Sequence, residues 1–230
     1  STKLVTYEGG FQAFADDFAA ILQKMGVEIR YNTAVEKISS EKDQSVKVSL
    51  KTGDEIFDRI LVTLSPGQMA AMTPQLPQEY LKGLLELKSI GAVVLMISLK
   101  HQLSREGYYW YNLPKSAGFP FLALVEHTNF LPKDKYGGEH LIYCGDYLET
   151  DHEYFKLSKE ELLERFLPSF TKVNPDFKPE WVNRTWLTRS NYAQPVPLLN
   201  HSKNIPDIQT PLPGIFFASM SQVYPWDRGT

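Results

Sequence analysis

Apolar residues recur at helical spacing early in the chain. Phe11, Phe14, Phe18, Ile21, Leu22 and Met25 fall on one face, and that period predicts an amphipathic helix. Gly9-Gly10 opens it and Gly26 closes it, as a glycine after a last turn does. Residues 27–31 (Val-Glu-Ile-Arg-Tyr) alternate apolar and polar and predict a strand. Short strands are expected at 35–38 and 46–50. Thr52-Gly53-Asp54 reads as a hairpin turn. A single return strand over 55–63 then runs to a stop at Ser65-Pro66-Gly67. Residues 8–65 therefore read as a helix, a strand and a small antiparallel meander.

The pattern then changes. Residues 77–87 predict a short amphipathic helix and 92–99 an apolar, buried strand. Further strands are expected at 108–112, 121–126 and 141–147, separated by loops bearing Pro and Gly. Ser158 with Glu161 three residues on is a capping box opening a helix over 159–170. Residues 181–187 read as a strand, 195–213 as a long proline-rich loop, and Gly214 to Ser219 as a last buried strand. The fold class this predicts is α+β: a mixed or antiparallel sheet with flanking helices.

Composition narrows the function classes. The chain has 230 residues, 43% hydrophobic and 22% charged, and a net charge of −3. That is ordinary globular usage, with no basic footprint for nucleic acid. No apolar run reaches membrane-spanning length and no leader pattern opens the chain. The one cysteine, Cys144, excludes an internal disulfide and suits a reducing, cytoplasmic setting. Both ends read as cut within a longer chain. The five histidines lack paired-ligand spacing, so no metal site is expected. There is no Gly-x-Ser-x-Gly elbow and no phosphate-cradling loop. Cys144 falls mid-strand and reads as a buried structural thiol.

Two segments carry a resemblance. The first combines Gly9-Gly10, Gly26, Asn32-Thr33-Ala34-Val35, and Asp58-Arg59-Ile60-Leu61-Val62-Thr63 with Pro66. The second is Pro213-Gly214-Ile215-Phe216-Phe217-Ala218-Ser219. In order and spacing they resemble the middle and late parts of the flavin amine oxidase superfamily, which includes monoamine oxidases, protoporphyrinogen oxidases and phytoene desaturases. The resemblance implies FAD as cofactor. It also implies a parent chain whose pyrophosphate-binding Gly-x-Gly-x-x-Gly turn lies upstream of this sequence. A chain lacking that turn is expected not to retain FAD on its own.

The resemblance places residues. Val35 matches the valine whose backbone meets the adenine ring; on its residues alone it is an ordinary strand valine. Thr63, Ser65 and Pro66 match the segment crossing back near the cofactor, and equally read as a strand end and a turn. Ser219 stands where the family has glycine. Met220-Ser221 follows in place of the usual acidic residue, which turns attention to Tyr224, Trp226, Asp227 and Arg228 as cofactor contacts or packing anchors. Family amine oxidases carry a lysine in a Gly-x-x-x-Lys pattern on the first substrate-domain strand. Here Gly91 would place Leu95 there, and an apolar residue cannot position water. Lys100 is a substitute only if it does not simply snorkel at the surface.

Three divisions follow: 1–75 as part of the FAD-binding region, 76–205 as a substrate-binding domain, and 206–230 as a return to the FAD-binding region. The aromatic run Tyr108-Tyr109-Trp110-Tyr111 with Phe119 and Phe121 is a candidate pocket lining or core, and its members cannot all face one side of a strand. The function this implies is part of an FAD-dependent oxidoreductase that dehydrogenates or oxidises a small, largely apolar substrate by hydride transfer to the flavin. The competing reading is a non-catalytic module of the same shape that binds a hydrophobic ligand or a protein partner. The residues name no catalytic base.

Overall fold

The computed structural model describes residues 5–225. Its first element is helix α1, Gly10–Lys24. Gly9 and Gly10 turn the chain into it at φ 84° and 81°, a region that glycine enters without steric cost. The apolar face expected of this helix is formed but uncovered: none of its residues is buried. Residues 27–31 do not form the expected strand. A strand exists through its ladder, and no described segment pairs with these residues.

Strands β1 (Val35–Ser40), β2 (Val46–Leu50) and β3 (Gly53–Phe57) make the antiparallel meander. The single return strand expected over 55–63 is divided in two. β3 leaves the ladder after Phe57, and β4 (Ile60–Val62) pairs elsewhere. Helix α2, Pro66–Met72, follows where only a turn was expected. Ser65 caps it reciprocally with Gln68, and Pro66 occupies the first turn, where a missing N–H costs nothing. Helix α3 spans Gln78–Glu86.

The larger sheet is built from β5 (Ser89–Leu99), β6 (Trp110–Asn112), β7 (Ala123–Glu126), β8 (His140–Leu148) and β9 (Val182–Pro195), in the order β6-β7-β8-β5-β9 and antiparallel throughout. Alternation along β5 sorts its side chains. Val93, Leu95, Ile97 and Leu99 join Leu124, Ile142 and Cys144 in one core with Phe166 and Phe170 of helix α4, Lys159–Phe170. The predicted capping box of α4 is present, with Ser158 Oγ accepting from the Glu161 N–H at 3.2 Å. Phe121 meets Phe166 edge-on at 4.9 Å between ring centroids, a geometry worth about 1 kcal/mol beyond its buried area. Cys144 is fully buried in this core, and burial drives its thiol well above the ordinary value. It is a packing residue.

The second core gathers Ile38, Val46, Val62, Met69, Leu84, Ile215 and Phe217. Its closing strand is β10, Ile215–Phe217, which runs parallel to β4 with Ile215 opposite Ile60 and Phe217 opposite Val62. Gly214 enters β10 at φ 78°, where a β-carbon would come within 2.8 Å of Val46 Cγ2. Only glycine fits so close an approach.

Candidate functional site

The face of the large sheet turned away from α4 is a trough of about 550 Å³. Its floor is made of small residues that register brings side by side. Gly145 lies opposite Val94 and Ala123, and Ala92 lies one step along β5. Taller side chains rise around it: Tyr109, Trp110, Tyr143 and Tyr147, with Phe11 of α1 reaching in. Such a hollow takes an apolar ligand and offers few polar contacts. Of the aromatic residues singled out in the sequence, Tyr109 and Trp110 line the trough, while Phe121 is buried in the core and Tyr111 and Phe119 pack against it.

At one end of the trough stands His127. Its Nε2 and the Tyr136 hydroxyl lie 2.8 Å apart. Its ring meets those of Tyr136 and Tyr143 edge-on, at 5.1 and 5.5 Å. Burial holds the imidazole below its ordinary value and so favours the neutral form. Asp146, at the trough's edge, is raised by burial. It pairs with Val93, whose side chain is in the core, so its carboxylate belongs to the α4 side.

The expected cofactor residues fall in two places. Thr63, Ser65 and Pro66 follow the carboxyl end of β4, and Ser219 follows the carboxyl end of β10. The parallel pairing of those strands puts all four at one edge. Thr63 is exposed there, whereas Pro66, the first residue of α2, is buried. Ser65 Oγ is engaged as the cap of α2, and the Ser219 N–H donates to Gln222 Oε1 at 2.7 Å. Val35 begins β1, an edge strand whose outer backbone groups face away from β2. Trp226, Asp227 and Arg228 lie outside the described residues. Val35 thus leaves backbone groups open on an edge strand, and Thr63 and Ser219 stand at the carboxyl ends of a parallel pair, the end at which open α/β sheets receive ligands. Tyr192 of β9 joins this edge to the large sheet, because its hydroxyl lies 2.9 Å from Ser221 Oγ, just past Ser219.

Leu95 is buried beneath α4 and cannot face the trough. The β5 residues on the open face are Ala92 and Val94. They are as apolar as Leu95, so no lysine of β5 reaches into the trough. Lys100 is exposed past the strand's end. The residues that reading the sequence missed are Ala92, Val94, Ala123, Gly145, His127 and Tyr143. Their signal is a set of small residues at alternate positions, which becomes a hollow only once the strands are in register.

A wider groove of about 1260 Å³ lies between α3 and residues 196–211, walled by Lys82, Lys88 and Lys203 against Glu79, Glu86 and Asp207. It has no comparable aromatic wall. Among the described residues no group of His, Cys, Asp and Glu is arranged to hold a metal, and no helix is long and apolar enough to cross a membrane.

Residues 2–225 match the family described as flavin containing amine oxidoreductase. No curated protein matches the sequence significantly. Among solved structures, a protein assigned as a protoporphyrinogen oxidase from Exiguobacterium sp. 255-15 is similar over 94% of this chain and 47% of its own, at 16% identity and a TM-score of 0.73. An oxidoreductase from Methanosarcina mazei is similar over 92% and 49%, at 15% identity and a TM-score of 0.69. A redesigned putrescine oxidase is similar over 93% and 48%, at 14% identity and a TM-score of 0.66. At these identities the likeness is one of fold, and the chain spans about half the length of each structure.

Proposed function

This chain belongs to the flavin-containing amine oxidoreductases, and from that premise we propose that it is the substrate-side part of an FAD-dependent oxidoreductase acting on a small, largely apolar substrate. The observation that carries this reading is the trough: a floor of Ala92, Val94, Ala123 and Gly145 under aromatic walls, in a sheet whose strand β9 is tied through Tyr192 and Ser221 to the edge that bears Thr63 and Ser219.

Each part has a task. The floor and walls bind the substrate's apolar body and exclude water from it. Val35, at the open edge of β1, offers backbone groups to the adenine, and the edge of β4 and β10 supports the ribityl-pyrophosphate side. The flavin, when bound, supplies the hydride-accepting centre, and the chemistry is the cofactor's. The β5 residues that line the trough, Ala92 and Val94, are apolar and position no water. This favours dehydrogenation of an apolar carbon skeleton over amine oxidation.

The test is a visible absorption spectrum of the full-length protein purified beside this chain. A yellow parent with a flavin band, bleached anaerobically by an apolar substrate, is the expected result, and the shorter chain is expected to be colourless. A colourless parent that takes up no added FAD overturns the reading.

A further inference from the structure

We propose that the His127 end of the trough is a hydrogen-bonding pocket for the polar terminus of the substrate. The ligand it selects is an apolar body that carries an uncharged acceptor oxygen, such as a carbonyl. The inference deepens the functional reading above and depends on it for treating the ligand as substrate; the pocket itself rests on its own residues.

The geometry is that of a built site. Tyr109 and Tyr143 both line the trough. Tyr143 meets the His127 ring edge-on, and Tyr109 is held against Phe130 at 5.1 Å. Tyr136 holds the imidazole through its contact with Nε2. Neither the Tyr109 nor the Tyr143 hydroxyl makes a hydrogen bond among the described residues, whereas that of Tyr136 does. Two O–H donors are therefore left at one end of an otherwise apolar hollow, and unused donors in a partly dry site gain most from a ligand acceptor. Burial, with the neighbouring Tyr136 and Tyr109, raises the Tyr143 phenol and keeps it a donor.

The charges around this end decide the ligand's class. The nearby carboxylates point elsewhere. Glu126 is buried on the α4 side and accepts from the Ser104 N–H at 3.1 Å, and Asp146 lies on the same side as Val93. Lys135 is engaged by Glu8. An ammonium group would find no counter-charge here, and an ion without a partner is costly to desolvate. An uncharged oxygen finds two donors.

The experiment is isothermal titration of the full-length protein with three probes of one skeleton: 4-phenyl-2-butanone, butylbenzene and 4-phenylbutan-2-amine. Wild type is compared with Tyr143→Phe and Tyr109→Phe, each of which deletes one hydroxyl and keeps the ring. The expected result is that each variant weakens the ketone roughly three- to ten-fold, the value of one hydrogen bond, and leaves butylbenzene unchanged. Equal weakening of ketone and hydrocarbon, no weakening of either, or a wild type that binds neither overturns the proposal. So does tighter binding of the amine than of the ketone. The outcome is separable from the flavin test: a colourless parent with ketone-selective loss sinks the flavoenzyme reading and keeps the pocket, and a yellow parent without selectivity does the reverse.

Discussion

Tyr192 and Ser221 are joined by a hydrogen bond of 2.9 Å between the end of the longest strand and the segment that follows β10. Ser221 is 1% exposed, so its hydroxyl depends on this partner. Tyr192→Phe keeps the ring and leaves that hydroxyl unpaired. The expected cost is about 1–3 kcal/mol of unfolding free energy, read by chemical denaturation. Because the bond ties the large sheet to the proposed cofactor edge, FAD uptake by the full-length variant is expected to weaken as well. A variant as stable as wild type would show that water replaces the tyrosine.

Gly145 forms the floor of the trough against Val94. A β-carbon on Gly145 would lie 3.3 Å from Val94 Cγ2, so Gly145→Ala requires only a small shift. Gly145→Leu places a branched side chain in the hollow itself. The alanine variant is expected to keep wild-type stability and ligand binding within a few-fold. The leucine variant is expected to fold and to lose binding of apolar probes by about ten-fold or more, the scale of a few methyl-sized overlaps. Retained binding in Gly145→Leu would move the ligand site elsewhere.

The parts legible in the sequence are those with local causes. Helix α4 was announced by Ser158 and Glu161, and the meander by alternation and the turn at Gly53. Helix α2 was equally announced, by Ser65-Pro66 with Gln68, but a strand end followed by proline has the look of a turn. The segment 27–31 alternates correctly and still forms no strand, since alternation supplies a face and not a partner. Pairing of β4 with β10 joins residues more than a hundred positions apart and leaves no local trace. The trough was hidden for the same reason. Whether Val94 or Leu95 faces it is a matter of one residue of register, and one residue reverses the face.

Acid sensitivity follows from the imidazoles. Burial holds both His127 and His140 below their ordinary value of 6.5, and Lys133 and His101 push His140 the same way. The unfolded chain therefore binds more protons than the folded one between the depressed values and 6.5, and stability rises with pH across that window. It is complete above about 6.5 and is lost as pH falls through the folded values. Glu28, Glu139 and Glu161, held below their ordinary 4.5 by hydrogen-bond and charge partners, lose their contribution only at lower pH. Denaturation midpoints stepped from pH 7.5 to 5 are expected to fall, and to fall less in His140→Gln. An unchanged slope in that variant would remove His140 from the account.

Val94 and Leu95 are neighbours with opposite surroundings, and lysine distinguishes them. Leu95 is fully buried among Cys144, Leu187 and the residues beneath α4. A charge there has no partner and no water, so Leu95→Lys is expected to cost several kcal/mol and to yield little folded protein. Val94 faces the trough, where an ammonium reaches solvent. Val94→Lys is expected to fold with a loss of about 1 kcal/mol or less, a surface-like substitution. It would also bring to that face a group able to position water. Circular dichroism and thermal unfolding of the two variants decide the face. Two equally soluble, equally stable proteins would mean that β5 is out of the register described, and the floor of the trough would have to be reassigned.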